Sequence, residues 1–284
     1  METAIVADST ICPTKEQYQK YQFEIVPLNV QMEGKVFKDG IDLSTAQAYQ
    51  YLNKNPEHWA TSAPAPGDFL SAFKKAKCSG AKAVICLTLS QKISATWNSA
   101  RLAKESAKKE LPDLAVEVID TETAAGGENL LCQLAAEQIK NGEQFDKIVH
   151  LIEKVKKKVR LFIVMETIRY LYRSGRVPEV ASKLGALLPL KPILNISEGA
   201  VHFTSATASK RKSIDKVLKI LKETWDETKP DICLMHANCL SEAEALEQKI
   251  KKLLPAANIF ITEFSPIMGY ATGPDSLIIA FFAK

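Results

Sequence analysis

The sequence predicts an α/β protein of two domains, with an N-terminal mostly parallel sheet flanked by helices and a second α/β domain. Short apolar runs of strand length alternate with helical patterns along the chain, which is typical of parallel sheets whose strands are joined by helices. The chain has 284 residues, which is enough for two domains that each bury a core. We expect the first domain over residues 1–143 and the second over residues 144–284.

In the first half, predicted strands alternate with predicted helices. The apolar runs of strand length are residues 4–7, 23–30, 83–89 and 115–119. The run 83–89 is apolar on both faces, as a central parallel strand covered on both sides would be, whereas Pro27 places the second run at an edge or a bulge. A capping box at Ser44 begins one helix, and further helices begin at Asp68 and after Ser94. This alternation predicts right-handed crossovers between parallel strands.

The second half repeats the pattern with longer helices. It begins with an amphipathic helix, in which Phe145, Ile148 and Ile152 lie on one face. Further helical stripes are residues 214–225 and 246–253, and the strand-length runs are residues 161–164, 232–235, 259–261 and 277–282. A loop is predicted over residues 268–274, between the last two strands. A second α/β domain is therefore expected here.

Composition excludes several classes of protein. The formal net charge is +4, whereas a nucleic-acid-binding domain is usually far more basic. The longest apolar runs fall short of the ~20 residues that a membrane-spanning helix needs. The 6 cysteines form no CxxC pair, so we interpret them as reduced core residues rather than as disulfides or a zinc site. We expect a cytoplasmic protein with no nucleic-acid partner, no integral membrane segment, and no metal or cofactor.

The motifs of common enzyme classes are missing. The sequence contains no GxxxxGK[ST] phosphate loop, no GxGxxG dinucleotide fingerprint and no GxSxG nucleophile elbow. Asp8, at the end of the first predicted strand, has the place of an aspartyl-phosphate nucleophile. The second Asp usual in such enzymes is lacking, so we assign no catalytic residue. The alternative that we keep is an enzyme, either a hydrolase that uses Ser94 or Ser62 or a phosphoryl-transfer enzyme that uses Asp8.

Hydroxyl side chains stand at the junctions between predicted strands and helices. Thr61 and Ser62 precede one helix, and Ser94 precedes the next. Open α/β sheets bind ligands at the carboxyl ends of their strands, where free backbone N–H groups and helix N-termini favour an anion. Thr61 and Ser94 could thus hold a carboxylate without a basic side chain. The alternative is that Ser44, Asp68 and Ser94 only cap helices, and the spacing does not decide between the two interpretations.

Eight short segments occur in a fixed order along the chain. They are residues 8–10 (Asp-Ser-Thr), 26–28 (Val-Pro-Leu), 61–64 (Thr-Ser-x-Pro), 87–96, 119–121 (Ile-Asp-Thr), 170–176, 185–194 and 272–274 (Thr-Gly-Pro). In this order they resemble the DegV family, and the resemblance covers essentially the whole chain. It implies a two-domain α/β protein that binds one long-chain fatty acid between its domains, as a carrier rather than an enzyme.

The resemblance also implies which residues hold the ligand. The carboxylate would be held by the hydroxyls of Thr61, Ser62 and Ser94, and the segment of Thr272 and Gly273 would close over the head group. The leucine-rich stretch 181–194 is expected to line the acyl channel.

The resemblance implies one protein partner, an ATP-dependent fatty acid kinase that converts the presented acid to an acyl phosphate. The region around Arg176 would dock this kinase. Ala271 stands where the family usually carries a histidine, so one polar group near the carboxylate is lost. The other departures from the family pattern are Ala63, Ala65, Ala95 and Asp275. The missing histidine at Ala271 is expected to affect transfer of the fatty acid to the kinase more than binding of the fatty acid.

Overall fold

The computed structural model describes residues 2–54, 59–177 and 189–284. Its strands are β1 (Thr3–Asp8), β2 (Glu24–Val26), β3 (Asn29–Met32), β4 (Lys35–Lys38), β5 (Trp59–Ser62), β6 (Ala83–Thr88), β7 (Ala115–Asp120), β8 (Val159–Val164), β9 (Lys191–Ser197), β10 (Ala200–Thr207), β11 (Asp231–His236), β12 (Asn258–Glu263) and β13 (Leu277–Phe282). Its α-helices are α1 (Lys15–Tyr21), α2 (Thr45–Lys54), α3 (Pro66–Cys78), α4 (Thr96–Glu110), α5 (Ala125–Lys140), α6 (Phe145–Val155), α7 (Arg169–Ser174), α8 (Lys210–Thr224), α9 (Leu240–Leu253) and α10 (Pro266–Thr272).

The N-terminal half contains the predicted parallel sheet, with strand order β2-β1-β6-β7 and every neighbouring pair parallel. Helices α3 and α4 cover one face, where Phe69 and Phe73 of α3 and Ala100 of α4 share a buried cluster with Val84 of β6. The small side chain of Ala100 lets α4 lie close to the sheet. The predicted α/β class is thus confirmed.

The chain leaves the parallel sheet at Pro27. Strand β2 ends at Val26, and β3 pairs antiparallel with β4 and β5 in a separate sheet of order β4-β3-β5. The sequence predicts one extended run over residues 23–30, but the structure divides it between two sheets. Proline has no N–H to continue a ladder of hydrogen bonds, so the first strand ends before it.

The C-terminal half contains a six-stranded sheet of order β10-β9-β8-β13-β11-β12. The β11–β12 pair is parallel and the other neighbouring pairs are antiparallel. Ile214 of α8 and Leu246 of α9 pack with Ile279 of β13 in the cluster that covers one face. The hairpin of β9 and β10 lies where the sequence predicts no strand.

Helix α5 lies between the two large sheets. Leu131 belongs to a buried cluster that also contains Ile85 of the parallel sheet and Cys233 of the six-stranded sheet. Residues 125–133 of α5 are all buried, polar side chains included, so α5 lacks the solvent-facing side of an amphipathic surface helix, and the sequence patterns predict no helix there. The boundary between residues 143 and 144 falls in the turn after α5, and it stays a prediction.

Two local predictions are wrong. Helix α3 begins at Pro66 rather than at Asp68, because Pro is suited to the first helical position and the Asp68 carboxylate accepts the Ala65 N–H from the third (2.9 Å). The predicted loop 268–274 is mostly helix α10, which Gly273 ends. Most of the leucine-rich stretch, residues 181–188, lies outside the described residues. Within the described ranges, every helix is too short or too polar to cross a membrane.

Candidate functional site

A cavity of about 390 Å³ lies between the carboxyl end of the parallel sheet and the six-stranded sheet. Both halves of the chain contribute to its wall. Its aliphatic and aromatic lining comprises Leu28, Ala63, Leu89, Ile93, Ala95, Ala124, Ile163, Leu171, Ile196, Val201, Ile267, Met268, Tyr270 and Ala271. Its hydroxyl and basic lining comprises Thr10, Thr61, Ser62, Ser94, Ser174, Arg176 and Thr272. The volume lies within the range of about 300–1,000 Å³ typical of small-molecule sites.

Most of the site residues predicted from the sequence meet at this cavity. Thr61 and Ser62 end β5, Ser94 precedes α4, and Thr272 ends α10, and all four line the wall. Gly273 does not line it. Its φ is +81°, and a Cβ there would collide with the ring of Tyr170, so the absence of a side chain lets the Tyr170 ring pack against the backbone at this position.

Ser94 lines the cavity, and its interpretation as the N-cap is wrong, because the N-cap of α4 is Ala95 and no side-chain hydrogen bond caps the helix. Its Oγ lies 2.8 Å from Thr96 Oγ1 and accepts the Thr96 N–H at the start of α4 (3.3 Å). Ser94 is only partly buried and its hydroxyl contributes to the cavity wall. The Ser94 hydroxyl therefore adds polarity to the wall near the N-terminus of α4, where an anion is favoured.

Arg176 introduces a positive charge that the spacing argument did not include. Its Nη2 donates to Thr61 Oγ1 (3.2 Å), and its Nη1 donates to the Ser174 carbonyl oxygen (2.6 Å). Among the described residues that line the cavity, Arg176 is the one basic side chain. Thr61 accepts from the guanidinium and keeps its own hydrogen for another acceptor. The sequence predicts Arg176 as a docking residue, and that role stays a prediction.

Ser62 and Thr272 are less well placed to donate hydrogen bonds into the cavity. Ser62 is exposed, and its Oγ accepts from Asn29 Nδ2 (3.3 Å). Thr272 is buried, but its hydroxyl donates within α10 to the Met268 carbonyl oxygen (3.0 Å). Ala271 also lines the cavity and contributes only a methyl group. The strongest polar surface is therefore that of Thr61, Ser94 and Arg176.

Behind Thr10 lies a fully buried pair of carboxyl groups, Asp8 and Glu128. Thr10 Oγ1 is 2.7 Å from Asp8 Oδ1 and 3.0 Å from Glu128 Oε2, and Asp8 Oδ2 accepts the Leu89 N–H (2.8 Å). Burial raises the pKa of Asp8, and burial together with the Asp8 charge raises the pKa of Glu128 well above its usual value. Since Asp8 is enclosed and both of its oxygens accept hydrogen bonds, it is poorly placed as a nucleophile.

Asp39 accepts a hydrogen bond from Ile267, a residue of the cavity wall, and the sequence analysis did not predict this role. The side chain is buried, Oδ2 accepts from Ser9 Oγ (2.6 Å), and Oδ1 accepts the N–H of Ile267 in α10 (3.0 Å). Burial raises the pKa of Asp39 to about 6. An Asp-Gly pair in a sequence indicates an exposed turn, so no local signal marks this contact across 228 residues of sequence.

Within the described ranges, one group of side chains has the spacing of metal ligands. It comprises Cys239, Glu242 and Asp275, whose ligand atoms lie within 4.8 Å of one another. Lys210 Nζ is 2.7 Å from Glu242 Oε2 and donates to the Asp275 carbonyl oxygen. The lysine already supplies the positive charge there, and the absence of a bound metal stays a prediction.

Comparisons with known proteins agree on one family. The model of the DegV family, described as uncharacterised proteins, matches residues 2–284. A DegV domain-containing protein of Clostridium acetobutylicum is 30% identical over 282 residues, which cover 99% of each chain.

Two solved structures are similar over nearly the full length. One is that of a DegV family protein from Thermus thermophilus, described for its fatty acid binding, with a TM-score of 0.89, 25% identity, and coverage of 99% of this chain and 100% of that one. The other is that of DegV from Bacillus subtilis, described as a fatty acid binding protein, with a TM-score of 0.88, 27% identity and coverage of 100% of each chain. This chain therefore belongs to the DegV family.

Proposed function

We propose that this protein binds one long-chain fatty acid in the cavity between its two halves. The observation that supports the proposal best is the chemistry of the wall, in which Thr61, Ser94 and Arg176 form a polar surface and aliphatic side chains cover most of the remainder. The two solved relatives described as fatty acid binding proteins support the same ligand class.

Arg176 gives the carboxylate a partner at the polar end. A guanidinium binds a carboxylate through charge-assisted hydrogen bonds, which are shorter and stronger than neutral ones. Thr61 already lies 3.2 Å from Arg176 Nη2, so one carboxylate oxygen can accept from the threonine hydroxyl while it faces the guanidinium. Ser94 supplies a further hydroxyl. The aromatic ring of Tyr270, stacked on Trp59 at 5.8 Å, closes another part of the wall.

The acyl chain supplies most of the binding free energy in this proposal. Each methylene taken from water contributes about 0.8 kcal/mol, so about fifteen methylenes contribute on the order of 12 kcal/mol before costs. The loss of translational and rotational freedom on association costs roughly 4–15 kcal/mol, and ordering of side chains adds to this cost. A polar end that contributes a few kcal/mol therefore decides whether the complex is weak or tight, and it also decides which end of the ligand lies at Arg176.

We further propose that the protein is a carrier, which presents the acid to an ATP-dependent fatty acid kinase in the cytoplasm and needs no cofactor of its own. The enclosed Asp8 carboxyl and the lack of a histidine among the described lining residues support a carrier over an enzyme. Helix α7, which ends two residues before Arg176, exposes Tyr172 beside the cavity, and this surface suits a docking partner.

Binding is tested by mass spectrometry and titration. Denaturing mass spectrometry of freshly purified protein should find one fatty acid per chain, and delipidated protein should take up palmitate or oleate. The absence of lipid together with no uptake of either acid would contradict the proposal. Hydrolysis of 4-nitrophenyl palmitate that Ser94→Ala abolishes would instead support the hydrolase.

The position of the head group is tested with Arg176→Gln. Loss of a hydrogen bond to a charged group costs about 1.5–3 kcal/mol, so palmitate should bind about 10- to 100-fold more weakly, whereas methyl palmitate, which has no charge, should bind almost unchanged. Arg101→Gln is the matched control, since Arg101 lies on α4 outside the cavity wall and contacts Asn98. Equal effects on the acid and the ester would mean that the carboxylate lies elsewhere.

Transfer to the kinase is tested separately with Ala271→His. If the family's histidine serves transfer more than binding, this substitution should raise the rate of acyl-phosphate formation with a fatty acid kinase and ATP. Retention of palmitate should change little. A rate that stays the same while the kinase binds the carrier would contradict a role for this position in transfer.

A further inference from the structure

The tip of the β9–β10 hairpin touches the loop that carries Ser94. Ser90 Oγ donates to the Gly199 carbonyl oxygen (2.7 Å), and Lys92 Nζ donates to the neighbouring Glu198 carbonyl oxygen (2.8 Å). Ser90 is fully buried, although it belongs to a loop. The two segments lie 109 residues apart in sequence and come from opposite sides of the cavity, one from each large sheet.

Ser90 also sets the course of the backbone that leads to Ser94. Its carbonyl oxygen accepts the N–H groups of Ile93 (3.0 Å) and Ser94 (3.1 Å), so it closes the turn that orients both cavity residues. Its own N–H donates to the Thr123 carbonyl oxygen (2.7 Å). Ser90 therefore joins the turn before α4, the loop before α5 and the hairpin tip through one buried residue.

The hairpin contributes the opposite wall of the cavity. Ile196 of β9 and Val201 of β10 stand on either side of the tip, and both line the cavity. Strand β9 is paired with β8 as far as Ile196, so the tip is the part of the hairpin that extends beyond its neighbour strand. A displacement of the tip from Ser90 would thus change the acyl wall and the Ser94 turn together.

Gly199 is suited to this contact for two reasons. Its φ is +77°, a conformation that other residues rarely adopt, and a Cβ at this position would lie 2.6 Å from Ser90 Oγ. Gly142 offers a direct comparison, because its φ is also +77° but a Cβ there would have no atom within 4 Å. The difference between alanine substitutions at these glycines isolates the contact with Ser90 from backbone strain.

We propose that Ser90 is a positioning residue, and that the docking of the Glu198–Gly199 tip on it is a latch that aligns Ser94 and closes the cavity wall in one step. The inference rests on the proposed fatty acid binding. Release of the ligand then requires the hydrogen bonds from Ser90 and Lys92 to the tip to break, so these contacts control the dissociation rate.

The latch is tested with cis-parinaric acid, a fluorescent long-chain fatty acid, which is displaced from the protein by excess oleate in stopped flow. Ser90→Ala and Gly199→Ala should each release the probe about 5- to 10-fold faster than the wild type, as expected for loss of about one hydrogen bond. Gly142→Ala should release it at the wild-type rate. The preference for palmitate over methyl palmitate should fall in Ser90→Ala, because Ser90 Oγ also accepts the Lys92 N–H (3.2 Å) and the turn that leads to Ser94 loses this hydrogen bond.

A double-mutant cycle tests the direct contact. With alanine at position 90 the Oγ that obstructs a Cβ at position 199 is gone, so the double variant should release the probe more slowly than the product of the two single effects predicts. Lys92→Met removes the exposed part of the latch and should accelerate release about 2- to 5-fold. Lys92→Met therefore tests the latch even if the variant with alanine at the buried position 90 does not fold.

The possible failures differ in meaning. If the wild type does not bind the probe, palmitate or oleate, the proposed function and the latch both fail. If the wild type binds while Ser90→Ala, Gly199→Ala and Lys92→Met all release the probe at its rate, the latch alone is overturned. An acceleration by Gly142→Ala as large as that by Gly199→Ala would also overturn it, because backbone strain would then explain the effect.

Discussion

Asp39 links the stability of the protein to pH through the wall of the cavity. Its carboxylate lies between Ser9 and the N–H of Ile267, at the beginning of helix α10, and its side chain is 2% exposed. Burial raises the pKa of Asp39 from 3.8 to about 6, although the hydrogen bonds from Ser9, Ser265 and Ile267 act in the opposite direction. The charged form is therefore less well accommodated in the folded protein than in water.

The sign of the pH dependence follows from this shift. Because the pKa is higher in the folded than in the unfolded chain, the folded state binds the proton more tightly, and the contribution of Asp39 to stability is greatest below about pH 4. It is lost as the pH rises through about 6. The shift spans about two pH units, and at about 1.36 kcal/mol per unit the full loss is about 3 kcal/mol.

Asp39→Asn is the substitution that tests this reasoning. The amide cannot ionise, so its contribution does not change between pH 4 and 7. If its oxygen accepts the Ile267 N–H, its nitrogen faces Ser9, whose hydroxyl hydrogen then loses its acceptor at a cost of about 1 kcal/mol. We expect the variant to be about 1 kcal/mol less stable than the wild type near pH 4 and about 2 kcal/mol more stable above pH 7.

The assay is urea unfolding of both proteins at intervals from pH 4 to 7.5, with the difference in unfolding free energy plotted against pH. Ser9→Ala is a directional control, since loss of its hydrogen bond raises the pKa of Asp39 further and moves the decline in stability to higher pH. A difference between Asp39→Asn and the wild type that stays constant with pH would refute the reasoning, as would a variant that is several kcal/mol less stable at pH 7.5.

Two further predictions concern residues around the cavity. Thr10 has one hydroxyl hydrogen for two carboxyl oxygens, and burial raises the pKa of Glu128 well above 4.5. We therefore expect the free energy of unfolding to fall as the pH rises through that raised pKa, and Glu128→Gln to remove this decline in urea unfolding. The same decline in both proteins would contradict a protonated Glu128. Gly273→Ala should lower the free energy of unfolding by about 1–3 kcal/mol more than Gly142→Ala does. The two glycines have similar φ values, but only at position 273 would a Cβ collide with Tyr170. Equal losses of stability in thermal unfolding of the two variants would contradict the collision.

Features that repeat along the chain were predictable from the sequence. Residues 83–89 are apolar on both faces, which predicts a covered parallel strand, and β6 is buried along its whole length at the centre of its sheet. The Ser94 hydroxyl follows the central strand pattern, at the edge where open parallel sheets bind ligands, so its place on the cavity wall could be expected. Thr61 lies in the antiparallel strand β5, and only the tertiary structure brings it to the same cavity. Each of these predictions depends on a pattern within about ten neighbouring residues, the length over which strand periodicity and turn residues can be recognised.

Features that depend on packing from several sides had no local signal. The polar stripe of helix α5, formed by Asn129, Gln133 and Glu137, packs on Gln17 and Tyr21 of α1 instead of facing solvent, so α5 does not have the pattern of a surface helix. The hairpin of β9 and β10 was missed because its strands lie in a leucine-rich stretch and an edge position, where alternation is weak. Proline at position 27 indicated an interruption but could not indicate that the chain continues in another sheet.

The amino-acid sequence alone determined the α/β class and the family resemblance, because burial periodicity and short motifs are properties of neighbouring residues. Tertiary structure decided that Arg176 lies beside Thr61, that Asp39 holds Ile267, and that Gly199 docks on Ser90. Each of these contacts joins residues more than a hundred positions apart, and their distances follow from how the sheets and α5 pack together rather than from any spacing along the chain.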